Sequence, residues 1–150
     1  MSNPRRFDKV TDEFNKDQLE NFMTEASENA IVPILKRTLD NDAFRQTVIT
    51  GKQCQVVLMT LQPGEEIGAE VHDDHDQILV LADGNGQAVL DGQAREVGAN
   101  DLIFVHAGME HNFINTGSRP LRLYTVYAPP EHADGTRHET KAEADRAEHH

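Results

Sequence analysis

From Thr47 onward, apolar and polar residues alternate in short runs: TVIT, QVVLMTL, EVH, QILVLADG, GQAVLDG, QAREV, DLIFVHA, EHNFIN and PLRLYTVYAP. The connections PGEE, DGNG, DG, VGAND, AGME and NTGSRP are rich in Gly, Asp, Asn and Pro. A period of two marks strands with one buried face, and these residues mark the turns between them. No helix-sized pattern interrupts the series, which argues against a βαβ fold. Strand-sized pieces at such regular spacing predict an all-β antiparallel sandwich or barrel. Phe104, Phe113, Leu79, Leu81, Met59 and Leu61 alternate along these runs and are expected in the core. The segment Gly84-Asn85-Gly86 reads as a hairpin turn rather than a phosphate loop, since no helix follows it.

The two ends follow other patterns. Residues 1–45 read as a helical extension: Leu19, Phe22 and Met23 recur at helical spacing with Asn15 or Asp17 as a cap, and a second short pattern, Ile34 to Leu39, follows Pro33. The barrel is expected over 46–130, closed by Pro129 and Pro130. Residues 131–150 form a polar C-terminal tail whose composition suggests a mobile end, with a short exposed helix over Thr140 to Glu148 capped by Thr140.

Composition narrows the functional classes. With 150 residues the chain is long enough for one domain with a core, although apolar residues make up only 37 %. The net charge of −12 disfavours nucleic acid and anionic membrane surfaces as partners. Small anionic substrates stay open, because local charge can oppose the global charge; Arg95, Arg119 and Arg122 are the cationic candidates. The start, MSNPRRFDKVTDEF, has no apolar signal region and no run of 18 apolar residues occurs, so a cytoplasmic location without a membrane span is expected. The single cysteine, Cys54, lies in QCQVVLM and reads as a small buried residue.

The chemistry concentrates in EVHDDHDQ, Glu70 to Gln77. Residues i and i+2 of a strand face the same side, so Glu70 and His72 point together. A turn over Asp73 to Asp76 returns the chain so that Gln77 lies beside them, and His111 opens a later strand after the AGME turn. A carboxylate, two imidazoles and an amide oxygen form a mixed N/O set suited to Fe(II), Mn, Ni, Co or Zn. No thiolate is present among them, which disfavours a closed structural zinc site. His75 reads as a solvated turn residue, and Asp73, Asp74 and Asp76 as turn residues that keep the loop soluble. His106 is placed at a turn entry away from the site, and His132 and His138 at the surface. Gly64, Gly84 and Gly108 read as turn glycines and Asn115 as a turn-stabilising residue.

These residues also carry a family resemblance. Gly64, five residues, Glu70-x-His72, four residues, Gln77, six residues and Gly84 is similar in spacing to the first cupin motif. His106-x-Gly108, two residues, His111, three residues and Asn115 is similar to the second. Three positions depart from the usual pattern: Glu70 stands for the first His, Gln77 for the Glu and His106 for the Pro. The first two exchanges offset each other, since one carboxylate remains. The ending PPEH…GT-x-H-x-TK-x-EA, Pro129 to Glu143, resembles that of a group of small bacterial cupins with the same E-x-H…DQ arrangement.

The resemblance implies a cupin double-stranded β-helix, or jelly-roll barrel, holding a divalent metal ion at Glu70, His72, Gln77 and His111. Phe113, in phase with His111, is the best candidate for a substrate-pocket wall, with Met59 and Leu79 near it. Similar proteins include dioxygenases, sugar-phosphate isomerases and lyases. The first expectation is therefore a metal-dependent enzyme, dioxygenase- or isomerase-like, acting on a small organic molecule, with Glu70 as ligand or, when free, as general base. The alternative is a non-catalytic small-ligand-binding or sensor cupin, with or without metal. Exposed sheet edges and apolar outer faces of such barrels lead to the expectation of a homodimer.

Overall fold

Alternating runs pair into two antiparallel sheets in the computed structural model, which describes residues 31–148. The helical pattern around Leu19, Phe22 and Met23, with its proposed caps, lies outside the described residues, as do His149 and His150. The described chain begins with a short helix, α1 (Ile34–Asp40). Nine strands follow: β1 (Arg45–Thr50), β2 (Gln55–Leu61), β3 (Asp76–Asp83), β4 (Asn85–Leu90), β5 (Gln93–Gly98), β6 (Leu102–Val105), β7 (His111–Ile114), β8 (Leu121–Ala128) and β9 (Arg137–His138). A second helix, α2 (Lys141–Glu148), closes the order.

The larger sheet runs β6-β3-β8-β2-β1-β9 and the smaller β5-β4-β7. One core unites them: Met59 and Leu61 of β2, Leu79 and Leu81 of β3 and Leu123 of β8 meet Ala88 of β4 and Phe113 of β7. Strand β8 shows the cleanest alternation, with every second residue buried from Leu121 to Tyr127. Strand β2 is buried on both faces, since α1 covers the outer one and the Asn41 carbonyl accepts the Thr60 hydroxyl at 2.7 Å. This is the jelly-roll arrangement. Among the described residues no helix is long and apolar enough to cross a membrane.

Four placements differ from the sequence reading. Phe104 is 41 % exposed rather than core. The run DLIFVHA is apolar almost throughout, so its pattern does not choose the phase; Ile103 and Val105 take the inner face and leave Leu102 and Phe104 outside. Cys54 is exposed, because β2 starts one residue later at Gln55 and Cys54 closes the turn from β1, where its carbonyl accepts the Gly51 N–H at 2.8 Å. Gly86 lies inside β4 rather than in the turn, which is left to Gly84 (φ 90°). EVH forms only an isolated bridge, from Glu70 to His111, instead of a strand.

The tail is built into the fold. β9 adds to the edge of β1, pairing Arg45 with His138 and Gln46 with Arg137. The Thr140 hydroxyl accepts the Glu143 N–H at 3.1 Å, a helix cap of the kind expected at α2. The helix is not simply exposed, since Ala144 is 1 % accessible within the core and Lys141 lies over the Phe44 ring.

Candidate metal centre

Two loops and two strands converge on His72. Glu70 and His111 exchange both backbone hydrogen bonds at 2.9 Å, which fixes Glu70 against the start of β7. The turn preceding β7 is tied to the acidic turn: Ala107 N–H donates to Asp76 Oδ1 at 3.0 Å and Gly108 N–H to the His72 carbonyl at 2.9 Å. Gly108 has φ 85°, a conformation that a side chain disfavours, so the glycine permits the turn that sets His111. Asp76 is thereby a structural acceptor as well as a polar turn residue.

Three of the four expected ligands come together. One ligand atom each of Glu70, His72 and His111 lie within 4.8 Å of one another. His72 Nε2 is 2.9 Å from Glu70 Oε2. At this distance the two groups are hydrogen-bonded, and both would be close enough to hold one divalent ion. His111 is 3 % exposed, and its Nδ1–H donates to the Met109 carbonyl at 3.0 Å. A carbonyl only accepts, so Nδ1 carries the proton and Nε2 offers a lone pair, the tautomer a metal ligand needs. Gln77 donates from Nε2 to Thr125 Oγ1 at 3.0 Å, while its Oε1 is buried without a partner. An orphaned buried oxygen costs free energy unless something fills its open side, and a cation does so.

Electrostatics reinforce the cluster. Burial raises the Glu70 pKa, but the His72 hydrogen bond, the charge of His72 and the more remote Arg45 and His111 outweigh it, leaving the carboxyl below its ordinary value. The hydrogen bond that His72 donates to Glu70 raises its pKa, against burial, with Glu131 adding to the rise. A metal ion held here would take the place of the proton that His72 and Glu70 share.

The expected pocket residues Phe113, Met59 and Leu79 are all buried in the core. Phe113 adjoins the cluster, its ring 6.0 Å from that of His111. His106 stays apart, stacked edge-on with Phe104 at 4.7 Å.

Several residues around the cluster were not read from the sequence, or were read as surface. His75 is not a solvated turn residue: its side chain is 10 % exposed and Nε2 lies 3.1 Å from Glu131 Oε2. Glu131 also stands 3.7 Å from His72 Nδ1, so His72, His75 and Glu131 form a second donor group on the far side of the same imidazole. Gln55, fully buried, brings the tail here: its Oε1 accepts the N–H groups of Glu131 and His132, and its Nε2 donates to the His132 carbonyl at 2.7 Å. His132 is consequently half-buried rather than at the surface, its ring 5.3 Å from that of Tyr127, which in turn lies 6.3 Å from His72. His138 faces Arg45, with Nδ1 3.3 Å from Nη1. Of the other arginines, Arg119 pairs with Asp83 and Arg122 with Asp42, away from the site.

Burial, followed by the Arg45 charge, pushes His132 down to about 4. An unfolded histidine titrates near 6.5, so between about 6.5 and 4 the unfolded chain takes up a proton that the folded chain refuses. Stability is lost as pH falls through that window. In His132→Asn, the drop in urea midpoint between neutral pH and the bottom of the window should be smaller than in the parent. Equal drops would remove His132 from the acid sensitivity.

Comparison with known proteins agrees with this fold. The Cupin domain family model matches residues 57–127, which carry β2 to β8 and His111. The Uncharacterized protein YrkC of Bacillus subtilis (strain 168) is 45 % identical over 124 residues, covering 79 % of this chain and 67 % of YrkC. The Uncharacterized protein L612 of Acanthamoeba polyphaga mimivirus is 34 % identical over 110 residues, covering 70 % and 68 %. The crystal structure of BH2720 from Bacillus halodurans superposes with a TM-score of 0.78 at 43 % identity, covering 79 % of this chain and 94 % of that one.

Proposed function

The chain belongs to the cupin family, which has enzyme and non-enzyme members, and from that premise we propose that it is a metal-dependent enzyme acting on a small organic molecule inside the barrel. Glu70, His72 and His111 hold a divalent ion, with Gln77 Oε1 as a fourth donor. The observation that carries this reading is the meeting of three ligand atoms within 4.8 Å, with the His111 tautomer fixed by Met109. The donor set, three nitrogen or carboxylate ligands and one amide, suits Mn, Fe(II), Co, Ni or Zn. When bound, such an ion would supply a Lewis-acidic position for a substrate oxygen.

The chain's own residues set the rest. The Met109 carbonyl holds His111 in one orientation, and Glu131 holds Nδ1 of His72 from the far side. Phe113 gives the apolar wall beside His111. Glu70, at the partly exposed edge of the cluster, is the group able to take a proton from a substrate when it leaves the ion. Family membership does not choose between dioxygenase- and isomerase-like chemistry.

The test is elemental analysis of protein purified without added metal, alongside Glu70→Ala and His72→Ala. About one equivalent in the parent and little in either variant is expected. Equal content in all three would place any bound metal elsewhere.

A further inference from the structure

Among the described residues Arg45 is a buried cation that lacks a close counter-ion, although its guanidinium carbon lies 5.4 Å over the Phe44 ring. It opens β1, paired with Met59 of β2, and is 2 % exposed. Residues opposite one another in a sheet share a face, so its side chain enters on the side of the core residue Met59. The guanidinium carries five N–H groups in a planar fork. Its neighbours meet little of that demand. Nη1 is 3.3 Å from His138 Nδ1 and 3.7 Å from Glu148 Oε1, whose side chain is 51 % exposed. Nε is buried with no partner at all. Isolating such a charge from water costs several kcal/mol, and a distant, half-solvated carboxylate offsets little of it.

Glu70, Tyr127 and His132 all feel Arg45 electrostatically. His132 holds a second buried nitrogen without a partner, Nε2, and its ring packs edge-on against Tyr127, which packs edge-on against His72. Two buried nitrogens, Arg45 Nε and His132 Nε2, thus stay unpaired in a chain whose net charge is −12. An acidic protein that retains a buried, under-paired arginine in this place selects for an anion locally.

We propose that the ligand of this barrel is a small organic carboxylate, its carboxyl group held by the Arg45 fork beside His132 and Tyr127 and its remaining atoms directed to the centre at Glu70, His72 and His111. The second half of this statement rests on the metal-centre reading; the first half stands on Arg45 alone. A planar carboxylate matches the guanidinium with two parallel hydrogen bonds, which satisfies the orphaned Nε and neutralises the charge. A neutral amide of the same shape does neither.

The experiment uses the full chain with acetate, lactate and benzoate, and with acetamide, lactamide and benzamide as neutral counterparts, at constant ionic strength. Affinity is read by calorimetry and by the shift in Tm. At least one carboxylate should raise Tm in a saturable way while its amide does not. In Arg45→Met the barrel should stay folded with its metal content unchanged, and carboxylate affinity should fall at least tenfold. Should Arg45→Met fail to fold, Arg45→Lys decides, because lysine keeps the charge and loses the fork: a tenfold weaker carboxylate supports the proposal and an unchanged one overturns it. No carboxylate preferred over its amide, or full affinity in folded Arg45→Met, also overturns it. Arg45-dependent carboxylate binding in a parent that holds no metal would support the anion site and refute the metal-centre reading, so the two fail separately.

Discussion

Divalent metal should bind the His111→Ala variant more than about 100-fold more weakly than the parent, with the barrel still folded. The size of the effect follows from the place of His111 in the cluster. Loss of a group that only orients a ligand costs about 10–100-fold in affinity, so loss of the ligand itself should exceed that range. His111 is buried and its Nδ1–H is committed to Met109, which leaves Nε2 as the nitrogen able to hold an ion. Survival of the fold follows from the backbone. The two hydrogen bonds that join residue 111 to Glu70 are between main-chain atoms and persist in alanine. The void beside Phe113 should cost stability at the low end of large-to-small core changes, about 2 kcal/mol. Titration with Co(II), followed by its visible absorption, measures the affinity, and circular dichroism checks the fold. Affinity within about threefold of the parent, in a folded variant, would remove His111 from the centre.

What the sequence disclosed and what it withheld divide along one physical line. The meeting of Glu70, His72 and His111 was legible because it depends on local features: their close spacing in EVH, a short acidic turn, and a glycine turn before His111. The tail was not legible. Nothing in PPEH shows that Glu131 and His132 are drawn inward, because the clamp is Gln55, separated from them by most of the barrel. A buried glutamine that satisfies two distant backbone N–H groups has no local signature. Arg45 was missed for a related reason. The change from helical to strand pattern was placed just after it, and an arginine at a strand's first residue reads as surface. Its burial depends on β9 and α2 closing over β1, which their polar composition did not foretell. His75 shows the same limit on a smaller scale, since only the arrival of Glu131 and the Pro130 carbonyl, 3.2 Å from Nε2, converts a turn residue into a buried one.

The second large effect is expected at Gly86. Gly86→Ala should destabilise the protein by about 3 kcal/mol or more, the upper end of the overpacking range. At roughly 2–4 °C per kcal/mol for a domain of this size, Tm should fall by about 6–12 °C. A methyl group at this position would lie 2.2 Å from the Ile114 carbonyl oxygen and 3.3 Å from Leu121 Cδ2. The first obstacle is backbone and cannot rotate away. Relief requires β4 to move from β7, where Gln87 pairs with Ile114, or β7 to move from its place. Gly98→Ala in the paired strand β5 is the control. Its Cβ would meet nothing closer than 3.9 Å, so the substitution should be neutral or mildly stabilising through the reduced freedom of the unfolded chain. The consequence reaches the proposed centre, because β7 begins with His111. If the strand shifts, the three ligand atoms lose their common position, and the gain in Tm produced by saturating Co(II) should shrink in Gly86→Ala while remaining at the parent value in Gly98→Ala. Thermal unfolding of the parent and both variants, each with and without the ion, measures both effects. A Gly86→Ala protein as stable as the parent would mean that β4 and β7 tolerate separation at this pair. A destabilised one with an undiminished metal response would show that the strain is absorbed before it reaches His111.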